Sequence, residues 1–480
     1  MSQFTSGQVL TAALLNSALT AARGGNWLSA KDYGAVGDGL TDDTAALQAA
    51  ITDAIAKGRA LLIPDGTYKI SAALLVGTDP NASLTGVTIV GQSRLNTVIS
   101  QATSNTPIFK ITGIYIHTLR WASMTLTYGS MQTGHTSSRV FEINGAAEGS
   151  FYNSVFQDLA GSNFYWWGYC DTLTWWGITY RDMWLGDFAG GINYIPVAAG
   201  EPNCRFERMY ISCQSAVETL FRHEAMSAQY DNIEVNSADQ GVQMLVDNSG
   251  GTHVIGHWAL EVGTYNQDTI LFDVTNGALL MKYLYTNTLA IPAGVTVYVF
   301  KTEGVSSFVD CDFYTFSNAD NIRGALVASL AIGPLPIRFK KIILPWSANV
   351  QLCDVVATGA ADFTLVDEWN DPSKIALNGD ANVTLAFDSP VNQIFDTPLT
   401  APRTVTLPQG TPDPTTRMFT GRRFRITKTN TSAFALTIKD SGGATVATIA
   451  SGTRATVDLV WHRDGGANGF SWIILDQHTY

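Results

Sequence analysis

The six residues YRDMWL (180–185) return as FERMYI (206–211) and again as YDNIEV (230–235), with apolar or aromatic side chains at the first, fourth and sixth positions each time. Looser copies stand at LTGVTI (84), WASMTL (121), YNSVFQ (152), IGHWAL (255), LMKYLY (280) and FVDCDF (308). Start to start, the nine copies are 37, 31, 28, 26, 24, 25, 25 and 28 residues apart. A second series, IFKI (108), VFEI (140), LFRH (220), VQMLV (242), ILFDV (270) and VYVF (297), keeps step in the other half of the period. Two offset strand series sharing one period predict the coils of a β-solenoid, in which each coil stacks on the last and a continuous core is buried between them. A β-sandwich also has short strands, but it has no reason to hold two series in step over so long a stretch.

Composition agrees with an all-β chain. Of 480 residues, 46% are hydrophobic and only 15% charged, and glycine is abundant, which suits strands joined by tight turns. The net charge of −12 disfavours nucleic acid and anionic membrane surfaces as partners, since both need a clustered excess of Lys and Arg. Five cysteines at 170, 204, 213, 311 and 353 show neither a disulfide framework nor ligand spacing, which predicts free buried thiols and no zinc site. No charged-then-apolar leader opens the chain and no run of 18 apolar residues occurs, so an extracellular site of action implies export by a route other than ordinary secretion.

Ahead of the repeats, residues 1–26 suggest a short helix from Thr11 to Ala22, too short to be stable without a partner. The acid-rich DYGAVGDGLTDDTAALQAAI (32–51) suggests a metal or catalytic site at first sight. Its acids are explained by helix chemistry instead, with Thr41 as N-cap, Asp42 and Asp43 in the first turn, and Leu47, Ile51 and Ile55 on one face of a helix over 42–56. That helix is placed to cover the open edge of the first coil. Beyond the coils, short alternating strands separated by Gly, Asn and Asp turns predict a C-terminal β-sandwich. The expected division is 1–26, a solenoid over 27–333, a transition over 334–379, and a sandwich over 380–480.

The stretch 32–51, followed by LLIPDGTYKI and the coils, resembles the pectate-lyase-like right-handed parallel β-helices, and among them the tailspike depolymerases of bacteriophages. The lead-in FTSGQVLTAALLNSALTAA looks like their virion-attachment segment, and the C-terminal strands look like the small sandwiches that end phage fibres. The resemblance implies a homotrimer on a virion, joined to other tail proteins through its N-terminus and acting outside the host cell after synthesis in its cytoplasm. It implies binding, and usually cleavage, of a capsule, exopolysaccharide or lipopolysaccharide on a bacterial surface, with no organic cofactor, no bound metal and no membrane insertion.

No family active-site motif can be placed on these positions, so the repeat register has to supply candidates. If the first, fourth and sixth positions point inward, the third, fifth and seventh point outward. That outer grid holds Ser154, Phe156 and Asp158; Asp182, Trp184 and Gly186; Arg208, Tyr210 and Ser212; Asn232, Glu234 and Asn236; His257, Ala259 and Glu261; Lys282, Leu284 and Thr286. Phe156, Trp184 and Tyr210 form a column of rings suited to stacking on sugars or packing against a neighbour. Glu234 and Glu261 are expected ~8 Å apart at the backbone, within the ~6.5–9.5 Å carboxyl separation of an inverting glycosidase. They are the first-choice catalytic pair, with Asp182 as the second choice. Arg208, His257 and Asp158 are the polar groups expected to contact substrate. A lyase needs a cation cluster for the sugar carboxylate; Arg181, Arg208, His257 and Lys282 form no tight one, which ranks lyase below hydrolase. A non-catalytic receptor-binding spike is the remaining alternative.

The segment 163–184 holds nine aromatic residues and is expected to protrude as a loop. Trp166, Trp167, Trp175 and Trp176 are its candidate sugar platform, or an interface between copies. The segment after it, from Gly186, lacks a second-series strand and suggests a bulge.

Overall fold

The signature at 180–185 is a strand bent at its third residue. Tyr180, Met183 and Leu185 point inward, Arg181 and Trp184 outward, and Asp182 between them has a left-handed backbone with φ 57°. One such residue inserts an extra step into the two-residue alternation of a strand. Apolar positions therefore fall first, fourth and sixth. The same bend recurs at Ser123 (φ 56°), Asp158 (φ 50°), Arg208 (φ 51°) and Asn232 (φ 56°) on neighbouring coils. None of these is glycine, and Asp and Asn are the side chains that tolerate this conformation best.

The computed structural model describes residues 27–146, 148–195, 204–213, 219–224, 227–239, 242–247, 250–275, 277–303, 308–316, 322–327, 337–343, 351–355, 375–386, 389–408, 422–462 and 471–480. The expected helix at Thr11–Ala22 lies outside them. Two compact units are distinguished, the first running to Thr269 with Thr286–Leu289, the second holding Ile270–Tyr285 and Ala290 onward.

The first unit is a parallel β-helix. Its long sheet runs through Trp27–Ser29, Ala60–Ile63, Thr88–Gly91, Arg120–Tyr128, Val155–Ser162, Thr179–Gly186, Cys204–Cys213 and Ala228–Asp239 to Thr252–Ile255 and Trp258–Thr264. A second sheet stacks Leu74–Val76, Phe109–Thr112, Arg139–Asn144, Trp166–Tyr169, Gly191–Ile195, Thr219–His223 and Gln243–Asp247. A short sheet of Leu84–Thr85, Tyr115–His117, Ser150–Tyr152 and Thr174–Trp176 closes the coil. The ladders between these strands are parallel. A second left-handed corner, at Gly86, Thr118, Asn153 and Gly177, separates the short sheet from the long one.

Inside, Trp121, Phe156, Tyr180, Phe206 and Tyr230 form a stack, with ring centroids 5.7, 4.7, 5.4 and 5.2 Å apart and planes within 15° of parallel. Offset stacking at this spacing adds to the large apolar area that each ring buries. Phe156 thus belongs to the core and not to the outer column expected for it. Its coil begins at 156 rather than at the YNSVFQ match, because Phe156 pairs with Trp121 and Tyr180. Leu284 and Thr286, expected outside, are buried as well. Phe206 is fully buried and also meets Phe221 edge-on at 4.8 Å. Phe206→Ala should cost about 3–5 kcal/mol, read as a lower urea midpoint; a loss under ~1 kcal/mol would show that the coil closes around the gap.

The titratable groups Asp247, His253 and His223 meet inside this core. Asp247, His253 and His223 are fully buried; His253 Nε2 lies 2.9 Å from Asp247 Oδ2, and the Tyr230 hydroxyl lies 3.2 Å from His223 Nδ1 and 3.4 Å from His253 Nδ1. Burial, and secondarily the charge of His253, hold the His223 imidazole down to about 3, against an opposing pull from Asp247. Cys170, Cys204 and Cys213 are buried and form no disulfide, as the composition predicts for them.

The acid-rich stretch at 32–51 is structural, though its details differ from expectation. The helix spans Thr44–Lys57 with Asp43 as N-cap and Gly58 left-handed behind it. Thr41 is not the cap; its amide and hydroxyl both donate to the Asp38 carboxylate, at 2.7 and 2.9 Å. Asp43 is buried and takes the amides of Val36 and Gly37 at 2.6 and 2.9 Å, so it organises the preceding turn. Leu47, Ala50, Ile51 and Ala54 face the strands Trp27–Ser29, Ala60–Ile63 and Leu74–Val76. These are first strands of the two large sheets, and the helix shields the apolar end of the first coil.

In the second unit, Val297–Glu303, Ile322–Val327 and Gln351–Val355 pair in parallel, as do Phe308–Phe316 and Ile337–Ile343. Parallel pairing thus extends into the stretch expected to be a transition. A five-stranded and a four-stranded sheet follow from Ile375. They share one buried core, in which Phe395, Ile426, Val457 and Trp461 from the first meet Val405, Ile438 and Ile449 from the second. That is a β-sandwich. Among the described residues, no helix is long and apolar enough to cross a membrane.

Candidate functional site

The bent strands present two outward columns on the long sheet. The bend column carries Ser123, Asp158, Asp182, Arg208, Asn232 and His257 on successive coils, each lying between residues that pair in register with the next coil. Beside it run Thr125, Ala160, Trp184, Tyr210, Glu234 and Ala259, paired one to the next. The ring column of the sequence reading therefore holds two rings, Trp184 and Tyr210, with Ala160 where Phe156 was expected.

Trp184 is 53% exposed. Its ring lies 5.0 Å from Tyr210, tilted by 58°, and the Arg94 guanidinium stands over it 5.8 Å from the ring centroid, within cation–π range. Arg94 comes from the turn between Thr88–Gly91 and Thr97–Gln101, where Thr125 Oγ1 donates to its carbonyl at 2.6 Å. Its guanidinium pairs with Asp158 at 3.2 Å, and the Ser123 hydroxyl donates to the same carboxylate at 2.9 Å. Sequence reasoning missed Arg94, since a lone Arg in a turn breaks no pattern.

Asp182 and Arg208, adjacent in the bend column, form a two-pronged ion pair at 2.6 and 3.0 Å. The donated hydrogen bonds from Arg208 hold the Asp182 carboxyl below the usual carboxylate range, and Asp182 raises Arg208 in turn. Such a carboxylate stays ionised and is a poor proton donor at neutral pH. Asp182 acts best as an electrostatic and positioning group. Arg181 donates twice to Gln157 Oε1, at 3.2 and 2.5 Å.

Glu234 and Glu261 are both half-buried on the outer face. Glu234 pairs in register with Ala259, which places Glu261 one coil on and two residues along. Adjacent coils ~4.8 Å apart and a two-residue advance of ~6.6 Å put the two backbones ~8 Å apart. Asn236 is an extra residue relative to the coil before, where the register shifts between Ile211 and Ser212. Its amide donates to Glu261 Oε2 at 3.3 Å, which orients that carboxylate. His257 lies in the bend column next to Trp258, half-buried.

The expected aromatic platform is dismantled. Trp167 and Trp175 are fully buried in the core, against Phe141 and Phe151. Trp166 is 3% exposed in a small cluster with Tyr165 and Ala189. The segment 163–184 is no loop: it supplies Trp166–Tyr169 to the second sheet, Thr174–Trp176 to the short sheet and Thr179–Gly186 to the long sheet. Nor is a second-series strand missing after it, since Gly191–Ile195 is that strand. Gly191 disguised it, standing where a side chain would run into the Thr219 carbonyl at 1.9 Å. Only Trp176 remains on the surface, on the short sheet.

Residues 27–150 match the family model described as rhamnogalacturonase A/epimerase, pectate lyase-like. A glucan 1,3-beta-glucosidase of Cochliobolus carbonum is 43% identical over 51 residues, 11% of this chain and 6% of that protein. The mannuronan C5-epimerase AlgE4 of Azotobacter vinelandii is 43% identical over 70 residues, 14% of this chain and 13% of the epimerase. The chain thus spans a small fraction of the curated relatives it matches. Among solved structures, the phiAB6 tailspike, in complex with oligosaccharides of Acinetobacter baumannii surface polysaccharide, aligns at 17% identity with a TM-score of 0.41, covering 58% of this chain and 49% of the tailspike chain. Matched by family model at its start and by coil-on-coil parallel pairing beyond it, the chain carries a pectate-lyase-like domain at 27–150 that opens a parallel β-helix.

Proposed function

We propose that the chain is a bacteriophage tailspike that binds a polysaccharide of a bacterial surface and hydrolyses it as an endo-glycosidase. The observation that carries the reading is the placement of Glu234 and Glu261, half-buried and one coil apart, on the outer face that also bears exposed Trp184. A carboxylate separation of ~6.5–9.5 Å leaves room for the water of an inverting mechanism, in which one acid protonates the leaving oxygen while the other takes a proton from that water. Trp184 and Tyr210, two coils and one coil before Glu234 in the same column, offer a surface on which a sugar face can rest. Arg208 and Asp182 supply fixed charge beside it.

A lyase is the less favoured chemistry, because the guanidiniums closest to this column are already engaged: Arg94 with Asp158, Arg208 with Asp182 and Arg181 with Gln157. Assembly as a homotrimer, attachment to other tail proteins through residues 1–26 and action at the host surface form part of the same proposal. Incubation with capsule or lipopolysaccharide from candidate hosts should release new reducing ends. Products absorbing in the ultraviolet would identify a lyase, and tight binding without cleavage a receptor-binding spike. Trp184→Ala should raise KM about 3–10-fold with kcat little changed, as expected for a lost stacking contact of ~0.5–1.5 kcal/mol; an unchanged KM would remove Trp184 from the binding surface.

A further inference from the structure

The short sheet carries a second ladder of rings, apart from the columns of the long sheet. In register on successive coils stand Thr85, His117, Tyr152 and Trp176. His117 stacks on Tyr152 at 4.7 Å and 17°, and Tyr152 on Trp176 at 4.3 Å and 2°. Tyr115, 46% exposed, shares the face. His117 Nε2 lies 2.6 Å from Thr85 Oγ1, and its Nδ1 3.0 Å from Thr118 Oγ1, so the ring is held in plane with its neighbours.

The chemistry of this face differs from that of the long sheet's outer face. The four strands Leu84–Thr85, Tyr115–His117, Ser150–Tyr152 and Thr174–Trp176 contain no Asp, Glu, Lys or Arg, in a chain of net charge −12. The bend column and its neighbour on the long sheet carry Asp158, Asp182 and Glu234, with Glu261 two residues along from Ala259. An uncharged face of rings and hydroxyls offers a polyanion no counter-charge, while it suits a ligand with C–H faces and hydroxyl edges.

We propose that this face is a second binding site, for a neutral glycan, on a side of the coil separate from the columns of the long sheet. The left-handed corner at Gly86, Thr118, Asn153 and Gly177 turns the chain between the two surfaces. The inner rings spend their faces on one another and present edges to the ligand. Trp176, the last described rung and 36% exposed, is where a pyranose face stacks. Where the proposed hydrolysis holds, a site of this kind retains the polymer near Glu234 and Glu261 after each cut, since a second contact converts rebinding into an intramolecular event.

The test is affinity electrophoresis of the full chain in gels cast with laminarin, dextran or galactomannan as neutral probes and alginate or polygalacturonate as acidic ones. At least one neutral probe should retard the protein, Trp176→Ala and Tyr152→Ala should each weaken that retardation at least threefold, and Trp176→Phe should restore part of it. Leu377→Ala, an exposed change in the β-sandwich, should leave retardation in place, and retardation is read without any release of reducing ends, so failure of the hydrolase reading and failure of this one are read separately. Retardation by no neutral probe, stronger retardation by the acidic probes, or no effect of Trp176→Ala overturns the proposal. A smaller sedimenting species for Trp176→Ala overturns it too, by showing that the face joins copies of the chain.

Discussion

Exchanging Glu234 for glutamine should reduce the release of reducing ends by about 10²–10⁴-fold while leaving glycan binding in place. The amide keeps the size and hydrogen-bonding edge of the side chain but can neither give nor take the proton that the reaction needs. Glu261→Gln should fall by a similar factor, because an inverting hydrolase needs an acid on one side of the bond and a base on the other. Asn236 still finds an oxygen acceptor at position 261, so a loss there is chemical and not a consequence of a displaced loop. Asp182→Asn is the contrasting case: it breaks a two-pronged pair with Arg208 and should lower activity less, chiefly through positioning. Full activity in both glutamine variants would place the chemistry outside this column.

Acid should destabilise the β-helix steeply, and one buried residue should dominate the effect. His223 titrates near 6.5 when unfolded and is held down to about 3 in the folded core by burial. Between those values the unfolded chain binds the proton that the folded chain refuses, so stability rises with pH. The contribution is complete above pH 6.5 and is lost as the pH falls toward 3, at about 1.4 kcal/mol per pH unit from this residue alone. The groups facing it are Tyr230, His253 and Asp247. Urea midpoints of wild type and His223→Phe, followed from pH 7.5 to 4, should therefore diverge in slope, with the variant flatter. Parallel slopes would show that water or a rearranged Tyr230 satisfies the charged imidazole.

The coils were legible because their core repeats. Trp121, Tyr180, Phe206 and Tyr230 each open a copy of the signature, and burial of one ring column is a constraint that every coil must meet. The slip at Phe156 shows where legibility ends. There the sixth position is Gly161, since a Cβ at that point would lie 2.2 Å from the indole of Trp167. A residue of the second sheet fills the space that an apolar side chain fills elsewhere, the true match loses its last apolar position, and YNSVFQ four residues earlier passes for it. The tryptophans failed for a related reason. A Trp pair in sequence points to opposite faces of a strand, so Trp175 enters the core and Trp176 leaves it. The acids fared differently: Glu234 and Glu261 follow from the period alone, whereas Arg94 reaches Asp158 from a turn some 64 positions earlier, a contact that only the stacking of coils creates.

The left-handed bend that repeats from Ser123 to Asn232 has a consequence for how such a surface can diversify. Each bend is a local turn of backbone between residues that pair with the coils on either side, so the side chain mounted on it can change with little effect on the rungs beyond its neighbours. Ser, Asp, Asp, Arg and Asn already occupy five equivalent mounts. The column works as a row of interchangeable fittings on a fixed rail, and exchanging one fitting for asparagine, a residue at ease there, is the smallest edit by which, on the function proposed above, the surface would change the ligand it prefers.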